Sequence, residues 1–208
     1  MSNSYWDNFY VSQKKNASLR EPSQFAIFVY GETHEINQMI EFGSGNGRDA
    51  FFFGSHGKNV LALDASETAT NSNNDFATEN LFHDSIKFQK FEVGTDDYSD
   101  LQICKDKKFL YARFFLHSLN NDLLRDFSNI ASKIMKIGEK LYVEYRTDQD
   151  EKRNKVFDGH YRNYIDPKDL IDLLKDFDLE LEYSVQGLGY AKYKEDDAFV
   201  SRMIFKKV

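Results

Sequence analysis

The segment IEFGSGNGRDA, residues 40–50, places glycines at positions 43, 45 and 47 between an apolar run and a stretch with helical character. Glycine lacks a Cβ, so such a segment turns sharply and lets a ligand come close to the main chain. Asp64 ends the next apolar run, 21 residues after Gly43. A carboxylate there can accept hydrogen bonds from the vicinal hydroxyls of a ribose. Loop and acid together suit an adenosine-containing cofactor. A dinucleotide fingerprint needs Gly-x-Gly-x-x-Gly, but counting on from Gly43 and Gly45 the third position is Arg48, with glycine one residue early at Gly47. That spacing disfavours a nicotinamide dinucleotide and the oxidoreductase chemistry that goes with it.

Further polar residues cluster in three places. Arg48 opens the helix after the loop, where it either pairs with a cofactor carboxylate or lies on the surface. Thr95, Asp96 and Asp97 in VGTDDYSD are alternatives for contacting an adenine amino group. Tyr111, Arg113, Phe114 and His117 lie in YARFFLHSL, and Glu144, Arg146, Asp150, His160, Tyr161, Arg162 and Asp166 follow further along. Guanidinium forks bind phosphate or carboxylate in a bidentate way, so Arg113, Arg146 and Arg162 with His160 form a candidate anion clamp. The alternative pairs these arginines with Glu144, Asp148, Asp150 and Asp166 as structural ion pairs, with His117 a core histidine.

The elements that position these residues are legible from periodicity. Strand-like runs cover 36–42, 59–64, 86–93, 108–114 and 140–146; helical patterns fall near 23–31, 47–56, 66–81, 121–136 and 167–176. Alternation of this kind predicts a parallel α/β sheet with helices on both faces. Two closing runs, 179–185 and 197–208, have no helix between them and predict an antiparallel pair, with Gly187 and Gly189 at their turn. Pro22 and Pro167 suit early helical positions. Tyr5, Trp6, Phe9 and Tyr10 share one helical face and read either as a lid or as a satellite apolar cluster.

Composition narrows the partners. The 208 residues are 41% hydrophobic, which suffices for one sizeable core, read as a single domain spanning 1–208 with 1–31 as a helical cap or lid. A net charge of -7 argues against nucleic acid and anionic membranes. No run approaches the ~20 apolar residues of a membrane span. The N-terminus lacks the features of a secretory signal. Cys104 is the only cysteine, which excludes an intrachain disulfide and fits a cytoplasmic setting. His34, His56 and His83 read as surface residues, and no His, Asp or Glu pair has metal-ligand spacing.

Glu41, the Gly43-Gly45-Gly47 alternation and Asp64, in a parallel order closed by one reversed strand, resemble class I S-adenosylmethionine (SAM)-dependent methyltransferases. The resemblance implies a Rossmann-like, seven-stranded, mostly parallel sheet with the last strand antiparallel. It also implies a SAM site formed by Glu41, Gly43, Ser44, Gly45, Gly47, Arg48, Asp64, Ala65, Ser66, Thr95 and Asp96, with S-adenosylhomocysteine as product.

Tyr-x-Arg-Phe-x-x-His at 111–117 is similar to a subfamily from bacterial capsule and O-antigen gene clusters. So are YWDNFY, EPSQFAIFV, residues 144–170 and the tail from Gly189. This implies O-methylation of a surface-polysaccharide sugar or of a sugar-linked phosphate or phosphoramidate. Tyr111, Arg113, His117, Arg146, His160 and Arg162 would serve the acceptor, with Tyr190 nearby. His117 is the first candidate for a base that deprotonates a hydroxyl, because imidazole titrates near neutrality, and His160 is the second. A non-catalytic SAM-binding partner module and an N-methyltransferase of an amino sugar are the alternatives.

Overall fold

The computed structural model of the chain describes residues 21–101, 103–153, 161–193 and 195–208. The expectations for Tyr5, Trp6, Phe9, Tyr10 and His160 lie outside them. Seven strands are present: β1 (Gln38–Phe42), β2 (Asn59–Asp64), β3 (Ile86–Lys90), β4 (Lys108–Arg113), β5 (Lys140–Arg146), β6 (Leu179–Gly187) and β7 (Val200–Lys207). They form one sheet in the order β3-β2-β1-β4-β5-β7-β6. β7 runs antiparallel to both β5 and β6, and so is the reversed strand that the pattern predicts. The chain divides after Asp106 into two compact units.

In the first unit, β1, β2 and β3 pair in parallel, with α1 (Gln24–Glu32), α2 (Arg48–Ser55) and α3 (Glu67–Glu79) around them. Ser23 is the N-cap of α1, its side chain accepting from Ala26 N. Pro22 therefore precedes the cap rather than entering the helix. The ammonium of Lys58 donates to Thr33 O at 2.6 Å and Ile36 O at 2.8 Å, closing the other end of α1, where a cation complements the helix dipole. Burial lowers the pKa of that ammonium, a shift opposed in part by Glu35. Phe51 of α2 meets Phe76 and Phe88 with ring centroids 4.9 and 5.2 Å apart, which joins α2 and α3 to β3.

β3 stops at Lys90, short of the predicted 93, because the chain folds back on itself. Thr95 N and Asp96 N both donate to Glu92 O, and the Asp96 carboxylate accepts Glu92 N at 2.8 Å. α3 likewise ends early: Asn80 is its C-cap, and Leu81 takes a left-handed conformation (φ 61°).

The second unit pairs β4 with β5 in parallel and β5 with β7 and β6 as above, adding α4 (Asn121–Ile134) and α5 (Pro167–Lys175). α4 buries Leu124, Phe127, Ile130, Ala131 and Ile134 at the spacing of one helical face. Asp166 caps α5 through Lys168 N, and Pro167 occupies the early position expected of it. At the start of β4, Lys108 and Glu139 form a buried ion pair at 3.0 Å. The β6–β7 connection is the whole of 188–199 rather than a tight turn, and β7 begins at Val200 rather than 197. The reason is that Asp197 accepts Gly189 N and Phe199 N donates to Asp150, both at the expense of the ladder.

Candidate functional site

At the end of β1, Gly43 N and Ser44 N both donate to Leu63 O, at 2.8 and 3.0 Å. Gly43 (φ 73°) and Gly45 (φ 54°) take positive φ, which residues with a Cβ rarely adopt. Asp64 at the end of β2 secures the turn. Its Oδ2 accepts Gly45 N at 2.8 Å and its Oδ1 accepts Ser66 N at 2.9 Å. One carboxylate therefore fixes the glycine loop and the entry to α3 together. Ser66 is also the N-cap of α3 through Ala69 N, and Ala65 lies half-buried between the two anchored residues.

Gly47 answers to a different constraint. A Cβ there would lie 2.9 Å from the rings of Phe51 and Phe88, and its φ is 73°. Internal packing, not a ligand, excludes a side chain at this position. Glu41 is 3% exposed on β1, and Ser44 is 5% exposed with a buried hydroxyl that makes no hydrogen bond. A buried hydroxyl without a partner costs about 1–3 kcal/mol, so a polar ligand atom at this turn fits the residues present. Arg48 lies 3.5 Å from Asp49, whose carboxylate holds Ser23 N and Ser23 Oγ at 2.8 Å each. Asp49 thereby ties α1 to α2. Of the three adenine candidates, Asp96 is committed to Glu92 N, while Thr95 and Asp97 are exposed.

In the second unit the charged residues at the ends of β4 and β5 are paired with one another. Glu144, 0% exposed, accepts Arg113 Nε at 2.8 Å and Arg202 Nε at 2.6 Å. Arg146 donates Nη1 to Asp150 and Nη2 to Asp196, both at 2.6 Å. Burial alone would lower the Arg146 pKa, but the hydrogen bonds to Asp196 and Asp150 outweigh it and the net shift is upward. Three guanidiniums thus meet three carboxylates. The structural ion pairs open in the sequence are present for Glu144 and Asp150, whereas Asp166 caps α5 and Asp148 is exposed.

Phe114 sits inside this network in a left-handed conformation (φ 54°), its ring 4.3 Å from the Arg113 guanidinium and 5.5 Å from that of Arg146. It packs against Ala191, Ala198 and Val200. His117 is buried in the short 3-10 turn 116–118, and its Nδ1 accepts Arg146 N at 3.3 Å. A main-chain N–H only donates, so Nδ1 is the acceptor here and the neutral imidazole carries its proton on Nε2. Tyr111 is 0% exposed and is a core residue, with no surface from which to touch an acceptor. Arg162 is half-buried ahead of α5.

Several contributors carried no sequence signal. Asn73 donates to Gly45 O at 2.9 Å from two turns into α3, and Arg202 and Asp196 complete the ion network from β7 and the strand connection before it. Each is one polar residue among many, and only the fold makes it a partner. Among the described residues no group of three or more His, Cys, Asp or Glu could hold a metal ion, and no helix is long and apolar enough to cross a membrane.

No protein-family model and no curated protein matches the chain. Solved structures do match in fold. A SAM-dependent methyltransferase from Methanosarcina mazei superposes with a TM-score of 0.70 at 16% identity, over 87% of this chain and 97% of that one. The glycopeptide N-methyltransferase MtfA, complexed with S-adenosylhomocysteine, gives 0.69 at 11% identity over 90% and 88%. The [4+2]-cyclase SpnF gives 0.69 at 13% identity over 88% and 80%. Likeness at these identities establishes the Rossmann-like fold, and a cyclase among the matches shows that this fold serves more than one chemistry.

Proposed function

We propose that the protein is a SAM-dependent methyltransferase, with residues 1–208 as its catalytic domain and a small-molecule or glycan acceptor. The observation that carries this reading is the turn at Gly43–Gly45, locked to Asp64 at the end of β2, with the buried Ser44 hydroxyl unsatisfied beside it. Asp64 would take the ribose hydroxyls, and Ser44 with the loop would take the amino-acid end. Bound there, SAM would supply an electrophilic methyl carbon, which the acceptor atom attacks in line as the carbon–sulfur bond breaks and S-adenosylhomocysteine leaves. A solved neighbour of the same fold that carries S-adenosylhomocysteine supports the choice of cofactor.

The acceptor side belongs to the second unit. The sequence resemblance of 111–119 and 144–170 favours a capsule or O-antigen sugar, or a phosphate or phosphoramidate on it, in a cytoplasmic enzyme. Arg113 and Arg146 hold carboxylates, so an anionic acceptor would meet them as members of paired clusters, with Arg162 as the third candidate. His117, whose Nδ1 accepts the Arg146 N–H, is the candidate for handling the acceptor, and its bound Nδ1 leaves Nε2 as the atom that would do so. Transfer to an amine is the second reading, supported by the N-methyltransferase among the neighbours.

Calorimetric titration with S-adenosylhomocysteine tests the cofactor site. Wild-type protein should bind in the micromolar range, and Asp64→Ala should weaken binding at least about tenfold, the scale of losing charged hydrogen bonds. Equal affinity in the variant would remove the loop from the cofactor site.

A further inference from the structure

Gly45 is held from both sides. Its N–H donates to Asp64 and its carbonyl accepts Asn73 Nδ2 at 2.9 Å, a contact spanning 28 residues of sequence. Asn73 is 2% exposed, and it stands on the helix whose first residues are fixed to the same Asp64 through Ser66 N. The bonds close a ring: Asp64 to Gly45, Gly45 to Asn73, Asn73 along α3 to Ser66, and Ser66 back to Asp64. A trans peptide points its C=O and N–H in opposite directions. By gripping the Gly45 carbonyl, Asn73 therefore also sets the direction of the Asn46 N–H, which faces away from α3. Gly45, at φ 54°, has the freedom to turn that peptide if nothing restrains it.

We infer that Asn73 is a positioning residue for the cofactor: it fixes the Gly45–Asn46 peptide so that the Asn46 N–H is already oriented toward an adenosyl ligand without reorganising. This rests on the loop being the SAM site. Asn74, next along the helix, has the opposite assignment. Its side chain donates to Phe88 O and accepts Phe88 N, at 3.0 and 3.2 Å, and so pairs with a strand remote in sequence from the loop. Two adjacent asparagines of like chemistry thus separate a binding role from a structural one.

The experiment compares S-adenosylhomocysteine affinity by calorimetry in wild type, Asn73→Leu, Asn74→Leu and Asp64→Ala, each well below its own melting temperature. Asn73→Leu should weaken binding about tenfold, because a carbonyl left unsatisfied no longer holds the peptide. Asn74→Leu should lower the melting temperature and leave affinity unchanged. Wild-type affinity in Asn73→Leu beside a weakened Asp64→Ala would overturn the inference alone, as would equal losses in the two asparagine variants. No binding by wild type would overturn the cofactor reading and this inference with it. Should Asn73→Leu not fold, the wild-type side-chain amide signals decide. On adding S-adenosylhomocysteine, hydrogen exchange of the Asn73 amide should slow while that of Asn74 holds steady, and an unresponsive Asn73 amide refutes the role.

Discussion

The glycine loop of the first unit and the charged cluster of the second are built on different principles. In the loop, side chains of Asp64 and Asn73 hold main-chain groups, so the conformation of the backbone is the product. In the cluster, side chains hold other side chains: Arg113 and Arg202 grip Glu144, and Arg146 grips Asp150 and Asp196. Peptide groups offer their polar atoms at fixed positions whatever the residue, which suits recognition of a constant cofactor. Paired charges in a low-dielectric setting hold one another's side chains in place, and neither partner can be changed alone without a cost.

The contrast breaks most sharply at Glu144. Glu144→Gln leaves two guanidiniums without their charge partner, and removing one member of a buried pair costs about 3–5 kcal/mol. Denaturant unfolding should show that loss while affinity for S-adenosylhomocysteine stays as in wild type. A fall in affinity of similar size would mean that cluster and loop are not separable.

Glycine substitution at two left-handed positions sharpens the comparison further. Phe114→Gly relieves the backbone but removes a ring set between two arginines, and should destabilise by about 2 kcal/mol net. Leu81→Gly relieves the same kind of strain at a residue that is 80% exposed, and should stabilise by about 0.5–1 kcal/mol. If both variants gained stability, the Phe114 ring would have no energetic part in the network.

The smallest effect is expected at Asp97, exposed in the turn after Gly94. Its carboxylate accepts Ser99 N at 2.9 Å, and that main-chain bond lowers its pKa below the usual 3.8. A depressed folded pKa means that the contribution is present above 3.8 and fades as pH falls through the folded value. Asp97→Asn should therefore narrow the difference between stabilities measured at about pH 5 and about pH 3. An unchanged difference would show that Ser99 holds the carboxylate and its protonated form equally.

The elements were readable in advance because their signals are local. The runs at 59–64, 140–146 and 167–176 match β2, β5 and α5 to within a residue, since apolar spacing and caps such as Asp166-Pro167 are properties of neighbours in sequence. The departures arise where a side chain reaches out of its element to take a main-chain group, as Asp96 does at the end of β3 and Asp150 does ahead of β7. His117 shows the same limit: its residue type suggested a base, but the Arg146 N–H settles its tautomer.

The sequence by itself determined the order of strands and helices, the turn at Gly43–Gly45 and the acid that faces it. All of these follow from steric and apolar preferences acting over a few residues. Only the tertiary structure decided which carboxylate each arginine meets and which asparagine holds the loop. Glu144 finds Arg113 across 31 residues and Arg202 across 58, and nothing in the spacing of charges along a chain records which of them the fold will bring together.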